Sequence, residues 1–173
     1  MEKKIRTIAS LSTRSFSAYL DEVLLQNQQI GQRIRIDHPQ ASAIIPFLSD
    51  NEILMVRQFR YALGRETLEI PAGKLDSGES PEQCIRRELV EETGYEAERI
   101  EWIYTYAPAL GYSNELIHIF SGHGLGKTGT LTDVREISSV EKIPVEKLKS
   151  MIREKLILDG KTLLGLSLMR IIP

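Results

Sequence analysis

From Phe16 to Leu25 and from Ile30 to Ile36, β-branched and aromatic residues alternate with polar ones, and Gln26-Asn27-Gln28 lies between; this period of two predicts a hairpin. A second pair of strands is predicted over Ala41 to Leu48 and Glu52 to Gln58, joined by Ser49-Asp50-Asn51, residue types that tolerate tight turns. A short strand over Thr67 to Ile70 runs into Pro71, and a loop containing Gly73 and Gly78 follows. The next helix is well signalled. Ser80 can cap it, Gln83 completes a capping box, Pro81 suits the first turn and Gly94 can end it. Strands are then expected over Ile100 to Tyr106 and Glu115 to Ser121, around a loop with Pro108 and Gly111. The four glycines between Gly122 and Gly129 predict a loop, followed by a strand near Glu136 to Lys142 and helices starting near Pro144 and Asp159.

The helix over Pro81 to Thr93 breaks its own pattern. Ile85 and Leu89 lie one turn apart and define the buried stripe, whose next position should be apolar but is Glu92. Glu88 and Glu91 share that side of the helix or its edge. Each like-charged pair costs about 0.2–0.5 kcal/mol even when solvated, and a buried unpaired carboxylate costs several times more. The ordinary reading of clustered glutamates is a solvated face supported by basic neighbours, and Arg86 and Arg87 are available. A hard divalent cation is the alternative, since adjacent carboxylates suit magnesium and leave sites for water and phosphate.

Composition narrows the field without choosing within it. The 173 residues, 42% hydrophobic and 27% charged, suit one compact domain of mixed α and β type. A net charge of -2 gives no basic excess for nucleic acid. No apolar run is long enough for a membrane span and the start lacks a signal-peptide core, so a cytoplasmic protein is expected. The single cysteine, Cys84, excludes an intrachain disulfide and a thiolate zinc site, and it is expected to be inert.

The spacing around the acidic helix decides between its two readings. Gly73, five residues, Glu79, seven residues and Arg87-Glu88-Leu89-Val90-Glu91-Glu92-Thr93-Gly94 match the Nudix box, apart from Tyr95 where an aliphatic residue is usual. On composition alone such a match arises in roughly one in 10^8 windows. Val56-Arg57-Gln58-Phe59-Arg60-Tyr61, Leu68-Glu69-Ile70-Pro71-Ala72-Gly73-Lys74-Leu75-Asp76, Asp37-His38-Pro39 and Gly111-Tyr112-Ser113-Asn114-Glu115 resemble the ADP-ribose pyrophosphatase branch of that family. The likeness covers about Phe16 to Leu166. Family members usually have proline directly before the glycine of the later loop, whereas here Ala109 and Leu110 separate Pro108 from Gly111.

The resemblance implies an α/β protein: a Nudix-type α/β/α sandwich with a mixed sheet over 41–173, the catalytic domain, plus an N-terminal antiparallel β hairpin or sheet over 1–40 that forms a homodimer. It implies magnesium or manganese held by Glu88, Glu92 and the carbonyl of Ala72, with Glu91 assisting and Arg87 orienting Glu91. Glu79 would fix the loop. Glu136 would act as catalytic base from a later loop, with Asp133 in reserve. Arg60 resembles the arginine that contacts the substrate diphosphate, and Glu69 and Arg57 are further substrate-binding candidates, each equally readable as a salt-bridged strand residue. Phe16, Tyr19 and Tyr61 are aromatic candidates for stacking on a base, while Trp102 is expected to pack on the core. The three histidines are assigned no catalysis. The implied substrate is ADP-ribose or a related nucleoside diphosphate sugar. Rivals are a Nudix hydrolase of GDP-mannose, a dinucleoside polyphosphate or an oxidised nucleotide, and a ligand sensor without turnover.

Overall fold

The computed structural model describes residues 1–129 and 137–172. The chain divides into two compact units, one made of Met1–Gln40 with Tyr106–Leu116 and the other of Ala41–Thr105 with Ile117–Pro173.

The first unit is a three-stranded antiparallel sheet in the order β1 (Lys3–Ser12), β2 (Ser17–Leu24), β3 (Ile30–Asp37). The predicted hairpin is β2–β3, in register from Ser17↔Asp37 to Leu24↔Ile30. β1 was not expected. Its apolar residues Ile5, Ile8 and Leu11 come every third position, and register shifts at Lys4/Arg6 and Thr7/Ala9 reconcile that spacing with a strand.

Among the described residues the second unit is a seven-stranded mixed sheet with three α-helices. Its path runs β10 (Ile137–Pro144), β5 (Glu52–Arg60), β4 (Ala41–Ser49), β9 (Ile117–Lys127), β8 (Tyr95–Tyr106). β6 (Arg65–Glu69) pairs with β5, and β7 (Ala72–Lys74) pairs with β4. β4 runs parallel to β9 and antiparallel to β7, and its first six residues are buried, as a strand covered on both faces must be. Alternate residues feed opposite faces: Ile44 packs with Phe120, Ala97 and Ile85 and Leu89 of α1 (Pro81–Thr93). On the other face Ile45 and Ile119 meet α3 (Gly160–Leu168) so closely that a Cβ at Gly165 would lie 3.1 Å from Ile45 Cδ1. The remaining helix, α2 (Val145–Arg153), packs on β10 and buries Leu148.

Two expectations fail here. Gly122, Gly124 and Gly126 do not make a loop but lie within β9, which ends at Lys127 before Gly129; Gly124 takes a left-handed φ of 66°, and at Gly122 a Cβ would press on Ile44 at 2.8 Å. Trp102 does not pack on the core. It is 61% exposed on β8, the edge strand, and donates its indole N–H to Thr105 at 3.2 Å. Among the described residues no helix is long and apolar enough to cross a membrane.

Candidate active site

α1 is anchored as its sequence predicts. The Ser80 hydroxyl accepts from the Gln83 amide, the Gln83 side chain accepts from the Ser80 amide, and Gly94 closes the helix at φ 71°. The capping box satisfies two of the amides left without partners at the N-terminus, and one face of the helix is fixed over β7. Gly73 makes the close approach possible. A Cβ there would lie 1.9 Å from the Glu88 carboxyl carbon and from its Oε1.

Arg87 is the hub of this face. Its Nε and Nη2 donate to Glu79 at 3.0 and 2.9 Å, its Nη1 to Glu88 at 2.7 Å and Glu91 at 3.1 Å, and its Nη2 also to the Lys74 carbonyl at 3.1 Å. Glu79 in turn accepts from the Asp76 amide, so Arg87 and Glu79 together pin the loop between β7 and α1. The hydrogen bond from Arg87 holds the Glu79 carboxyl near 2, and Glu79 raises Arg87 above its ordinary value. Glu88 goes the other way: burial pushes its pKa up despite Arg87. Glu92, 5% exposed at the position where the stripe calls for an apolar residue, accepts from the Ala72 amide at 3.0 Å. Cys84 is buried beneath the cluster with its thiol pushed up to about 12 by burial, too high for thiolate chemistry.

One guanidinium thus hydrogen-bonds three carboxylates and pairs with Asp76 at 3.9 Å, and this excess of negative oxygen suits a hard cation. Among the described residues no three His, Cys, Asp or Glu side chains converge as a ready-made metal cluster. Magnesium needs fewer, since one or two carboxylates with water and substrate phosphate commonly hold it. The donors available fit that requirement.

The predicted substrate-binding residues sit on β5 and β6. Arg60 grips Glu69 through both oxygens, Nε at 2.7 Å and Nη2 at 2.6 Å, with 40% of its side chain exposed. Glu69 is only 3% exposed; it also accepts from the Thr67 hydroxyl at 2.6 Å and pairs with Lys161. Burial would raise its carboxyl, but Arg60, Lys161 and Thr67 outweigh that and hold it at about 2. Arg57 pairs instead with Glu141 of β10 at 2.6 Å. The structure therefore brings Glu88, Glu91, Glu92 and Arg87 together on α1, joins Arg60 to Glu69, and ties Arg57 to a different partner. Glu136 and Asp133 lie outside the described residues.

Sequence reasoning passed over Lys161, 7% exposed and bonded to Glu69 and, at 3.1 Å, to Asp159. Nothing in its neighbourhood marks it, because its principal partner is 92 residues away. Of the aromatic candidates, Tyr61 is 93% exposed, Phe16 stacks on His38, and Tyr19 lies under the Arg35 guanidinium at 4.1 Å. The histidines are all engaged elsewhere: His118 with Thr105, His123 stacked on Phe47, His38 beside Glu115.

The family model for the NUDIX domain matches residues 37–162. This chain belongs to the Nudix family. It is 33% identical to an ADP-ribose pyrophosphatase of Bacillus subtilis (strain 168), over 93% of this chain and 88% of that one. It is 37% identical to a methanol dehydrogenase activator of Bacillus methanolicus, covering 98% and 93%, and 32% identical to a GDP-mannose pyrophosphatase of Yersinia enterocolitica, covering 95% and 94%. A solved structure described as an ADP compounds hydrolase superposes with a TM-score of 0.81, covering 97% and 93% at 20% identity, which supports the fold. The Nudix chain is accordingly a pyrophosphohydrolase of mixed α/β fold with an N-terminal three-stranded sheet.

Proposed function

We propose that this Nudix hydrolase splits the pyrophosphate of ADP-ribose, or a closely related nucleoside diphosphate sugar, into AMP and ribose 5-phosphate with magnesium or manganese. The observation that carries this reading is the acidic face of α1 held over Gly73 by Arg87, with more carboxylates than cations. Glu88, Glu92 and the Ala72 carbonyl are the proposed metal ligands. The bound cation would neutralise phosphate oxygens and acidify a water. Arg87 keeps Glu91 and Glu88 in place by its hydrogen bonds. Arg60, its fork anchored by Glu69 and its side chain part-exposed, offers donors of the planar kind that suit a diphosphate. Arg57 is the weaker substrate-binding candidate, being committed to Glu141. In the reaction a water oxygen bonds to one phosphorus, the bridging oxygen departs with the other phosphate, and Glu136, or Asp133 in its place, takes the water proton.

ADP-ribose is preferred because a relative of that name matches nearly the whole chain; the GDP-mannose relative matches almost as well, so products must decide. With magnesium, ADP-ribose should give AMP and ribose 5-phosphate faster than GDP-mannose gives GMP and mannose 1-phosphate; the reverse order would refute the substrate assignment while leaving the reaction class. The relative named for activating a methanol dehydrogenase supports a second reading, a regulatory role toward a dehydrogenase, tested by adding this protein to such an enzyme and following its rate.

A homodimer through the N-terminal strands is part of the same proposal. One face of that sheet aligns Leu11, Ala18 and Ile36, then Ala9, Leu20 and Ile34, then a polar row of Arg6, Glu22 and Gln32, then Leu24 and Ile30, and Leu11, Ile34 and Ile30 are each more than 60% exposed. The exposed apolar rows on this face call for a cover, and a second copy of the chain supplies one.

A further inference from the structure

We propose that Lys161 is a positioning residue for substrate binding, acting through Glu69 to keep Arg60 available to the diphosphate; this rests on the reading of Arg60 given above. Lys161 stands in the first turn of α3, 7% exposed, where a lysine must have partners to remain charged. It has two, Glu69 Oε2 and Asp159 Oδ1. The same Glu69 oxygen accepts from Arg60 Nη2 at 2.6 Å, so one carboxylate is shared between a buried ammonium and a part-exposed guanidinium.

The turn that carries Lys161 is itself locked. Asp159 caps α3 by accepting from the Thr162 amide at 3.0 Å, and the Thr162 hydroxyl accepts from the Ile70 amide at 2.9 Å, directly after Glu69. The backbone that carries Lys161 is therefore held in place beside Glu69, and Glu69 has an anchored partner. Charge matters as well as geometry. Arg60 and Lys161 balance Glu69 and Asp159; without Lys161 the group is left with one excess negative charge beside the arginine that must receive an anion. Glu69 occupies the Nε–Nη2 edge of Arg60, and the Nη1 side lies outside that fork.

The test is steady-state kinetics on the full chain, using whichever of ADP-ribose and GDP-mannose the wild type turns over faster, for Lys161→Met, Lys161→Gln, Arg60→Gln and the double variant Lys161→Met/Arg60→Gln. The expected result is a rise in KM of about tenfold for Lys161→Met with kcat within about twofold, and no additional rise when Arg60 is already glutamine. A lysine that only stabilised the fold would lower the active fraction and so kcat, leaving KM alone, or its effect would add fully to that of Arg60→Gln; either result overturns the proposal. Should Lys161→Met fail to fold, Lys161→Gln, which keeps a donor and loses the charge, carries the same test. A raised KM in Arg60→Gln with a normal KM in the lysine variants defeats the role of Lys161 alone, whereas a normal KM in Arg60→Gln, or no turnover of either substrate, defeats the reading of Arg60 beneath it.

Discussion

Gly73→Ala should separate the site from the fold. The backbone at Gly73 lies outside the left-handed region, so alanine meets no conformational barrier, but its Cβ would lie 1.9 Å from the carboxyl carbon and Oε1 of Glu88 and 2.5 Å from Cγ. Ordinary carbon contacts lie near 3.5–4.0 Å, so the carboxylate must retreat by roughly 1.6–2 Å. The obstructing atoms are the end of a flexible side chain, 13% exposed, which can swing away at the expense of its bond to Arg87. The stability loss should sit at the lower end of the ~1–3 kcal/mol typical of overpacking. Chemistry is less forgiving, since a displacement of about 1 Å in a reacting assembly can cost about 100-fold. Urea unfolding and ADP-ribose hydrolysis across a magnesium titration, run on the same preparation, should show a nearly normal midpoint, turnover down at least about 100-fold, and a higher magnesium requirement. Turnover within about threefold of wild type would mean that the position of Glu88 does not matter to the reaction, and the ligand assignment would fall with it.

Acid stability should report Glu69. Its carboxyl drops from an ordinary 4.5 to about 2, and because the folded value is the lower one, the stabilisation is complete above pH ~4.5 and is lost as pH falls toward 2; the full difference is about 3 kcal/mol. Wild type should therefore lose more unfolding free energy between pH 5 and pH 3 than Glu69→Gln does, and equal losses would contradict the pairing with Arg60 and Lys161. Ser80→Ala should lower stability by about 1 kcal/mol in urea unfolding through loss of the capping box, and an unchanged midpoint would deny the cap that role. Ile34→Glu, placed in an exposed apolar row of the N-terminal sheet, should shift sedimentation from dimer toward monomer; a wild type already monomeric at assay concentration would rule out the homodimer.

The sequence made the geometry of the α1 face legible because its signals are local. The caps of α1 and the spacing from Gly73 to Gly94 act within one loop and one helix, and Glu92 announced itself by standing where the buried stripe wanted an apolar residue. What escaped depends on partners distant in the chain. β1 hid behind two register shifts, and β9 runs through glycines that usually signal a loop. Trp102 was expected inside because large aromatics usually bury, but it stands 61% exposed on β8, at the end of the sheet's strand order. Lys161 is ordinary in sequence, and only the fold places it against Glu69. Arg60 and Glu69, separate substrate-binding candidates in the sequence, prove to be one ion pair, so their roles cannot be assigned independently.

The most direct test of metal-dependent pyrophosphate hydrolysis on the acidic face of α1 is the rate of AMP release from ADP-ribose at increasing magnesium, in wild type and in Glu92→Gln. Saturable, magnesium-dependent release in wild type, abolished in a Glu92→Gln protein that still folds, is the predicted result; release by wild type that ignores magnesium, or that survives the substitution, would contradict it.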